Sequence, residues 1–302
     1  MVNKIKLTVV ICTYNGAKYF KEQFESIINQ SYPIDEIIIV DDNSIDETFS
    51  IIEELTKGKE CIKVFRNETN LGYNKNFEKG LQLATGDIIA ICDQDDIWHL
   101  DKLKIQIETW TEPTLLTYCD TIPFLDKIPS NPEKNKISCR LKGNNPKQLS
   151  VFNTISGHTV LFKRELLQLI LPFIEDVYYD WLLAITAMCN GGISHISEIL
   201  VYQREHAQNV TIKKNLSKSV VLVKDKFLLT KQLKYFRTIP NLTQEDQHFF
   251  DLFNELWFER KIGFNWNLFL FIFKNRKDIF AYKVRKFPFF SYLKHSIRFA
   301  TN

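Results

Sequence analysis

No G-x-G-x-x-G turn follows the first strand-like run of this 302-residue chain, and no G-x-x-x-x-G-K-[ST] loop occurs anywhere. Both gaps disfavour nicotinamide-type dehydrogenases and P-loop nucleotidases, whose backbones need such glycines to approach phosphate. Cysteine is scarce and scattered: Cys12, Cys61, Cys92, Cys119, Cys139 and Cys189 form no C-x-x-C pair and have no histidine at zinc spacing. A disulfide framework is excluded, and the thiols read as reduced, small hydrophobes of a cytosolic protein. Long apolar runs are missing too. The most apolar stretch, Phe264 to Phe273, is too short for a bilayer span of about 20 residues. Met1 to Lys6 run straight into a strand-like segment, which reads as no secretory leader. Internal repeats and low-complexity tracts are absent. Excess charge of one sign is lacking as well: 39 Lys and Arg against 36 Asp and Glu leave +3. That is too balanced for a dedicated nucleic-acid binder.

What is present is the composition of a soluble globular protein, 45% hydrophobic and 25% charged, with enough apolar residues for a sizeable core. The near-neutral total conceals an asymmetry. Residues 1–212 carry 21 basic and 29 acidic side chains, net −8, whereas residues 213–302 carry 18 and 7, net +11. The chain therefore divides into an acidic body, 1–212, and a basic, aromatic-rich helical region, 213–302.

Over the first 120 residues, short β-rich runs (7–12, 36–40, 62–65, 87–92 and 114–118) alternate with helical patterns (17–30, 46–56, 73–84 and 100–110). This alternation predicts parallel strands joined by crossover helices, an α/β sandwich. The strands are continuous apolar runs, as expected when both sheet faces are covered. Residues 120–150, with four prolines, read as a long excursion. A strand at 158–162, helices near 163–170 and 180–190, and a strand at 193–202 follow. Three strands end in polar clusters: Thr13-Tyr14-Asn15, Asp41-Asp42-Asn43-Ser44 and Asp93-Gln94-Asp95-Asp96. Open α/β sheets bind ligands beyond the carboxyl ends of their strands, so these clusters should share one crevice.

Three carboxylates after a buried strand repel one another unless a cation neutralises them. Oxygen ligands of this kind suit Mg²⁺ or Mn²⁺, above all beside a diphosphate; the alternative is a solvated acidic turn. Asp42 at its strand end can accept from a ribose hydroxyl or a base N–H, or belong to turn chemistry, while Ser44 reads as the N-cap of the next helix. Gly157 points to close backbone approach to a ligand or to a tight turn. His158 meets an acceptor or makes a structural hydrogen bond, and His195 is structural. Trp98, Trp110 and Trp181 read as core, although Trp98 and Trp181 flank key acids.

The segments Val9-Val10-Ile11-Cys12-Thr13-Tyr14-Asn15-Gly16, Val40-Asp41-Asp42-Asn43-Ser44, Asn70-Leu71-Gly72-Tyr73-Asn74-Lys75-Asn76 and Cys92-Asp93-Gln94-Asp95-Asp96-Ile97-Trp98 together resemble the family 2 glycosyltransferases of the GT-A fold. The Asp-Gln-Asp-Asp-Ile-Trp run, Ser156-Gly157-His158-Thr159, Tyr179-Asp180-Trp181 and Arg204-Glu205-His206-Ala207-Gln208-Asn209 look like the bacterial rhamnosyltransferase-like branch. The resemblance covers roughly residues 7–210. It implies a mostly parallel sheet flanked by helices, a nucleotide-diphospho-sugar donor and a metal-dependent inverting transfer to a growing cell-surface glycan or a lipid-linked oligosaccharide.

Set on this sequence, it places Thr13, Tyr14 and Asn15 around base and ribose, with Asp42 at the base and Lys75 near the nucleotide. Asp93 would hold ribose or metal, Asp95 the metal, and Asp96 the substrate. Asp180 would be the catalytic base, its alternative being a helix N-cap. Arg204, His206 and Asn209 would close over the diphosphate, with His206 a further metal ligand. Tyr179, Trp181 and Leu182 depart from the branch's pattern around the base, which bears on acceptor preference. A non-catalytic sugar- or glycan-binding protein on the same fold is the competing reading, and intact Asp93, Asp95 and Asp180 argue against it.

Residues 257–302 hold ten Lys or Arg, two acids and many Phe. Basic residues interleaved with aromatics suit peripheral contact with anionic lipid on the inner face of the membrane, with Lys283, Arg285 and Lys286 as a charge cluster. The alternatives are a helix that packs its aromatics on the catalytic body and a solvated basic face.

Overall fold

The structure is a computed structural model and describes residues 5–130, 140–175, 177–206, 228–282 and 284–301. Its centre is one eight-stranded sheet, ordered β3-β2-β1-β4-β7-β6-β8-β5. The first four strands in that order, β3 (Ile62–Arg66), β2 (Glu36–Asp41), β1 (Leu7–Thr13) and β4 (Ile88–Cys92), are parallel. Next comes β7 (Val160–Lys163), antiparallel to both β4 and β6 (Leu116–Phe124). Then β6 runs parallel with β8 (Ile193–Arg204), and the two-residue β5 (Ile97–Trp98) closes the edge antiparallel to β8. The sheet is mostly parallel and flanked by helices, as expected for a GT-A fold.

Side-chain alternation explains the two-sided core. Val10, Ile38, Val40, Ile89 and Ile91 point to one face, where they join α3 (Tyr73–Leu83) and α6 (Tyr179–Asn190). Leu7, Val9, Ile11, Ile37, Ile39 and Ala90 point to the other, under α1 (Phe20–Ile28), α2 (Thr48–Thr56) and α4 (Lys102–Glu108). Because both faces are covered, the strands carry apolar side chains at nearly every position.

Most elements fall where the sequence places them, trimmed at their ends. Three differ. The helix read near 163–170 is a 3₁₀ turn followed by the short α5 (Leu167–Ile170). β6 runs on to Phe124, into the stretch read as an excursion, because β8 pairs with it along its whole length. β5 escapes a sequence reading because two residues have no period. Residues 131–139 and 207–227 lie outside the described residues, and with them Cys139, Asn209 and the division at residue 212.

The C-terminal region is helical: a stretch over 228–236, then α7 (Gln244–Phe258), α8 (Trp266–Lys274), α9 (Arg276–Ile279) and α10 (Pro288–Ala300). Its Phe236, Phe250, Phe253, Trp257, Ile272 and Phe280 are fully buried in the same cluster as Trp181 and Leu149 of the body. Polar ties supplement that burial. Asn145 Nδ2 donates to Asp278 at 2.9 Å, and Lys147 pairs with Glu245 and Asp246 at the start of α7.

Candidate active site

The carboxyl ends of β1, β2 and β4 lie side by side because their register is in step: Thr13 pairs with Asp41, and Ile11 with Cys92. The three polar clusters therefore meet. Gln94 returns across the crevice, accepting from Tyr14 N at 2.8 Å and donating to Tyr14 O at 3.0 Å. A Cβ on Gly16 would stand 2.3 Å from Gln94 Oε1 and push that side chain off its bonds to Tyr14. Thr13 is buried and donates to Asp41 at 2.9 Å, Tyr14 is exposed, and Asn15 takes a positive φ of 50°. Asn15 N donates to Ser44 Oγ at 2.9 Å.

Ser44 is not the helix cap the sequence suggested. Its hydroxyl donates to Asp41 at 2.5 Å, well before α2, and Asp46 instead accepts from Thr48 N at 3.0 Å. Asp42 is buried, and its carboxylate accepts from Asn67 Nδ2 at 2.7 Å, Leu71 N at 2.8 Å and Gly72 N at 2.9 Å. It thus shapes the loop that starts α3 and retains about one of some four lone-pair positions for a ligand. Lys75, on the first turn of α3, is half-exposed and pairs with Glu78 at 3.0 Å.

The acidic run after β4 splits between two histidines. Asp95 is 2.6 Å from His206 Nε2. Asp93 and Asp96 each place an oxygen 3.3 Å from Nδ1 of His158. Among the described residues, Asp93, Asp96 and His158 bring three possible ligand atoms within 4.8 Å of one another, a set that shares only Asp93 with the expected Asp93, Asp95 and His206. The reason is β5. Ile97 pairs with Tyr202 and Trp98 with Val201, so the end of β8 is delivered to the acidic run. There Arg204 N donates to Asp96 at 3.0 Å, Arg204 Nε to Asp95 O at 3.1 Å, and its Nη2 to Glu22 at 2.6 Å. His206 stacks on Tyr19 with centroids 4.7 Å apart.

Crowded carboxylates behave as the electrostatics require. Burial first, and then the Asp93 charge, raise Asp95. Burial pushes Asp96 up to about 7, with Asp93 and Asp95 adding to it against the pull of His158. Burial opposes charge on His158, but Asp96, Asp93 and Asp95 together outweigh it and carry the imidazole up to about 9. Asp96 Oδ2 and His158 Nε2 are buried without a hydrogen bond among the described residues. Carboxylate oxygens left in this condition fit a hard divalent cation such as Mg²⁺ or Mn²⁺, to which His158 could add a ligand only after giving up its proton.

Asp180 stands on the first turn of α6 but is not its N-cap; that position is Tyr178, with no side-chain cap bond. The carboxylate accepts from Trp181 N at 2.7 Å and from the Gly157 backbone. Burial, with the nearby Asp93 charge, pushes it up to about 6 despite those hydrogen bonds. Gly157 answers to packing: a Cβ would sit 2.2 Å from the Tyr179 hydroxyl. Trp98 and Trp181 are buried, the first under Lys102 and the second donating to Leu149 O at 2.7 Å, so neither is a sugar platform. His195 is structural, 2.8 Å from Asp120. Sequence reasoning missed Tyr19, Glu22 and Asn67, whose roles come entirely from partners distant in the chain. Gln94, given no role from the sequence, bridges the acidic run to Tyr14.

A mostly parallel sheet, an acidic run beyond its central strand and a basic strand end folded back upon it define a GT-A glycosyltransferase. The profile of Glycosyl transferase family 2 matches residues 8–171, more than half of the chain, which belongs to that family. A putative teichuronic acid biosynthesis glycosyltransferase of Bacillus subtilis, TuaG, is 38% identical over 106 residues, 35% of this chain and 42% of that one. An uncharacterised glycosyltransferase of Haemophilus influenzae is 40% identical over 97 residues, 32% of this chain and 30% of that one. The chain thus spans less than half the length of these two relatives. Among solved structures, S. aureus TarS in complex with UDP-GlcNAc superposes with a TM-score of 0.60 at 20% identity, over 84% of this chain and 72% of that one. A mannosyltransferase of Pyrobaculum calidifontis, in complex with GDP-Man and Mn²⁺, gives 0.57 at 19% identity, over 85% and 72%.

Proposed function

We propose that this glycosyltransferase moves a sugar from a nucleotide-diphosphate donor to a hydroxyl of a cell-surface glycan or lipid-linked oligosaccharide, with inversion and with a divalent metal. The observation that carries the reading is the gathering of Asp93, Asp95, Asp96, His158, His206 and Asp180 at the carboxyl ends of the strands. Thr13, Tyr14, Asn15 and the remaining lone pair of Asp42 line the base and ribose side, and Lys75 lies at its rim. Asp95 and His206, or Asp93 with Asp96 and His158, would hold the metal. Such a cation supplies positive charge to the departing diphosphate.

Asp180 takes the acceptor's proton. Its carboxyl, held near 6, is ionised at neutral pH yet basic enough to receive a proton as the hydroxyl attacks. Gly157 N and Trp181 N fix its orientation, and Arg204 adds charge beside Asp95. Asn209, outside the described residues, belongs to the same closing segment. The acceptor class is suggested by relatives: besides TuaG, a Campylobacter jejuni protein named GalNAc(5)-diNAcBac-PP-undecaprenol beta-1,3-glucosyltransferase is 38% identical over 92 residues, 30% of each chain. For the donor, the resemblance to the rhamnosyltransferase-like branch puts rhamnose first.

The test is a panel of nucleotide-sugars, rhamnose donors included, scored by thermal stabilisation with and without Mn²⁺ or Mg²⁺ and then by transfer. A donor at a hundred times its Kd should add about 2.7 kcal/mol of stability. Stabilisation by no nucleotide-sugar would sink the reading, and binding without turnover on any acceptor would reduce the protein to a sugar-nucleotide binder.

A further inference from the structure

The C-terminal aromatics divide into two sets. One fills the core with the body. The other forms a continuous chain of rings along α8 and the start of α10: Phe264 to Trp266 at 4.9 Å, Trp266 to Phe269 at 6.0 Å, Phe269 to Phe273 at 5.7 Å, Phe273 to Phe289 at 6.0 Å and Phe289 to Phe290 at 5.7 Å. Of these, Trp266 is 67% exposed, Phe289 58% and Phe290 71%. Singly exposed apolar residues need no explanation, but a contiguous aromatic strip across two helices marks a contact surface.

Helical spacing sets basic residues on the same lines. Trp266, Leu270 and Lys274 follow at i, i+4 and i+8, all exposed, as do Phe290, Lys294 and Arg298. Each helix therefore presents an aromatic and a cation one above the other on one face. Exposed Lys277 and Lys286 lie in the segments between those helices, and none of the four lysines pairs with a carboxylate among the described residues. Of the two acids in residues 257–302, Asp278 is engaged by Asn145. Arg285, by contrast, is spent on the fold: it donates to Ser291 Oγ at 2.8 Å and Phe280 O at 2.7 Å. Lys283 lies outside the described residues.

We propose that this face docks on an anionic lipid bilayer, with Trp266, Phe289 and Phe290 entering the headgroup region and Lys274, Lys277, Lys286, Lys294 and Arg298 meeting lipid phosphates. Charge complementarity selects this occupant. A second copy of the same face would set these five basic side chains against five, whereas anionic headgroups attract them. Apolar rings with snorkelling cations are what an interfacial helix needs, and no helix among the described residues is long and apolar enough to cross a membrane. Vesicle binding owes nothing to sugar transfer, so this inference and the proposed activity can fail separately.

The experiment is flotation of the full chain with phosphatidylglycerol or phosphatidylcholine vesicles, at low and high salt, following tryptophan emission, with Trp266→Phe as the control that assigns any shift to that ring. Binding to the anionic vesicles alone, weakened by salt and accompanied by a blue shift, is expected. Reversing three exposed cations, Lys274→Glu, Lys277→Glu and Lys294→Glu, should weaken binding by about a hundredfold or more. Phe289→Ser with Phe290→Ser should also weaken it, with an unchanged melting temperature in both variants because every altered side chain is exposed. Wild-type binding retained by both variants, or no vesicle binding at all, overturns the proposal. Self-association abolished by Phe289→Ser with Phe290→Ser, in a chain that ignores vesicles, would assign the face to a second copy instead.

Discussion

The acidic crevice and the C-terminal helices are built on opposite uses of burial. In the crevice, charges are crowded where solvent cannot screen them, and Asp96 and His158 sit at 1% and 3% exposure. Backbone donors, histidines and Arg204 hold them there against their mutual repulsion. In the C-terminal region it is rings that are buried, while charges stay at the surface and the surplus aromatics stay outside with them. The first arrangement costs stability and supplies chemistry; the second stabilises the body and leaves a surface over.

Substitution at the base should separate the two regions most sharply. Asp180→Asn should keep donor-induced stabilisation while transfer falls about 10²–10⁴-fold, the usual range for general-base removal. Wild-type turnover would return Asp180 to a purely local role. Next in size is Trp257→Ala, which should cost about 3–5 kcal/mol in chemical denaturation, typical of a buried tryptophan. The whole chain should lose that stability in one transition, because Trp257 shares a hydrophobic cluster with Trp181. Separate melting of the C-terminal helices, with the body unaffected, would break the comparison.

Asp95→Asn should remove the Mn²⁺- or Mg²⁺-dependent part of donor stabilisation, about 2.7 kcal/mol at a hundredfold excess over Kd, and leave the apo protein folded. Full stabilisation of this variant would move the metal from Asp95 to Asp93, Asp96 and His158, and wild-type turnover in excess chelator would contradict metal dependence. The pH profile sharpens the Asp180 reading. The working form is the carboxylate, and its pKa is raised to about 6. Transfer should therefore be level above that pH and fall about tenfold per unit below it. A profile flat down to pH 4 would mean that Asp180 keeps an ordinary carboxyl. The smallest effect belongs to Lys75→Ala. Its pair with Glu78 is half-exposed, so stability should change by less than about 1 kcal/mol, and any larger loss seen in donor affinity would place Lys75 beside the nucleotide.

By itself the sequence determined the alternation of strands and helices, and with it the parallel sheet and the side of the sheet that carries polar clusters. Those features follow from local periodicity and from the rule that strand ends, not strand middles, can afford unpaired polar groups. It marked the acidic run as chemistry-bearing, because carboxylates after a buried strand are costly without a use, whereas Asp180 stood out only through the resemblance to the family. Only the tertiary structure decided their partners. The Asp95–His206 and Asp96–Arg204 contacts span more than a hundred residues and depend on the two-residue β5, which has no period to read. Likewise Ser44 left the helix because Asp41 and Asn15, brought together by the β1–β2 register, offered its hydroxyl better partners. In the C-terminal region, composition announced aromatics and positive charge together. Which rings turn inward to Trp181 and which stay out beside the lysines depends on where α8 and α10 rest, because burial is set by the surface a helix meets and not by the residues it carries.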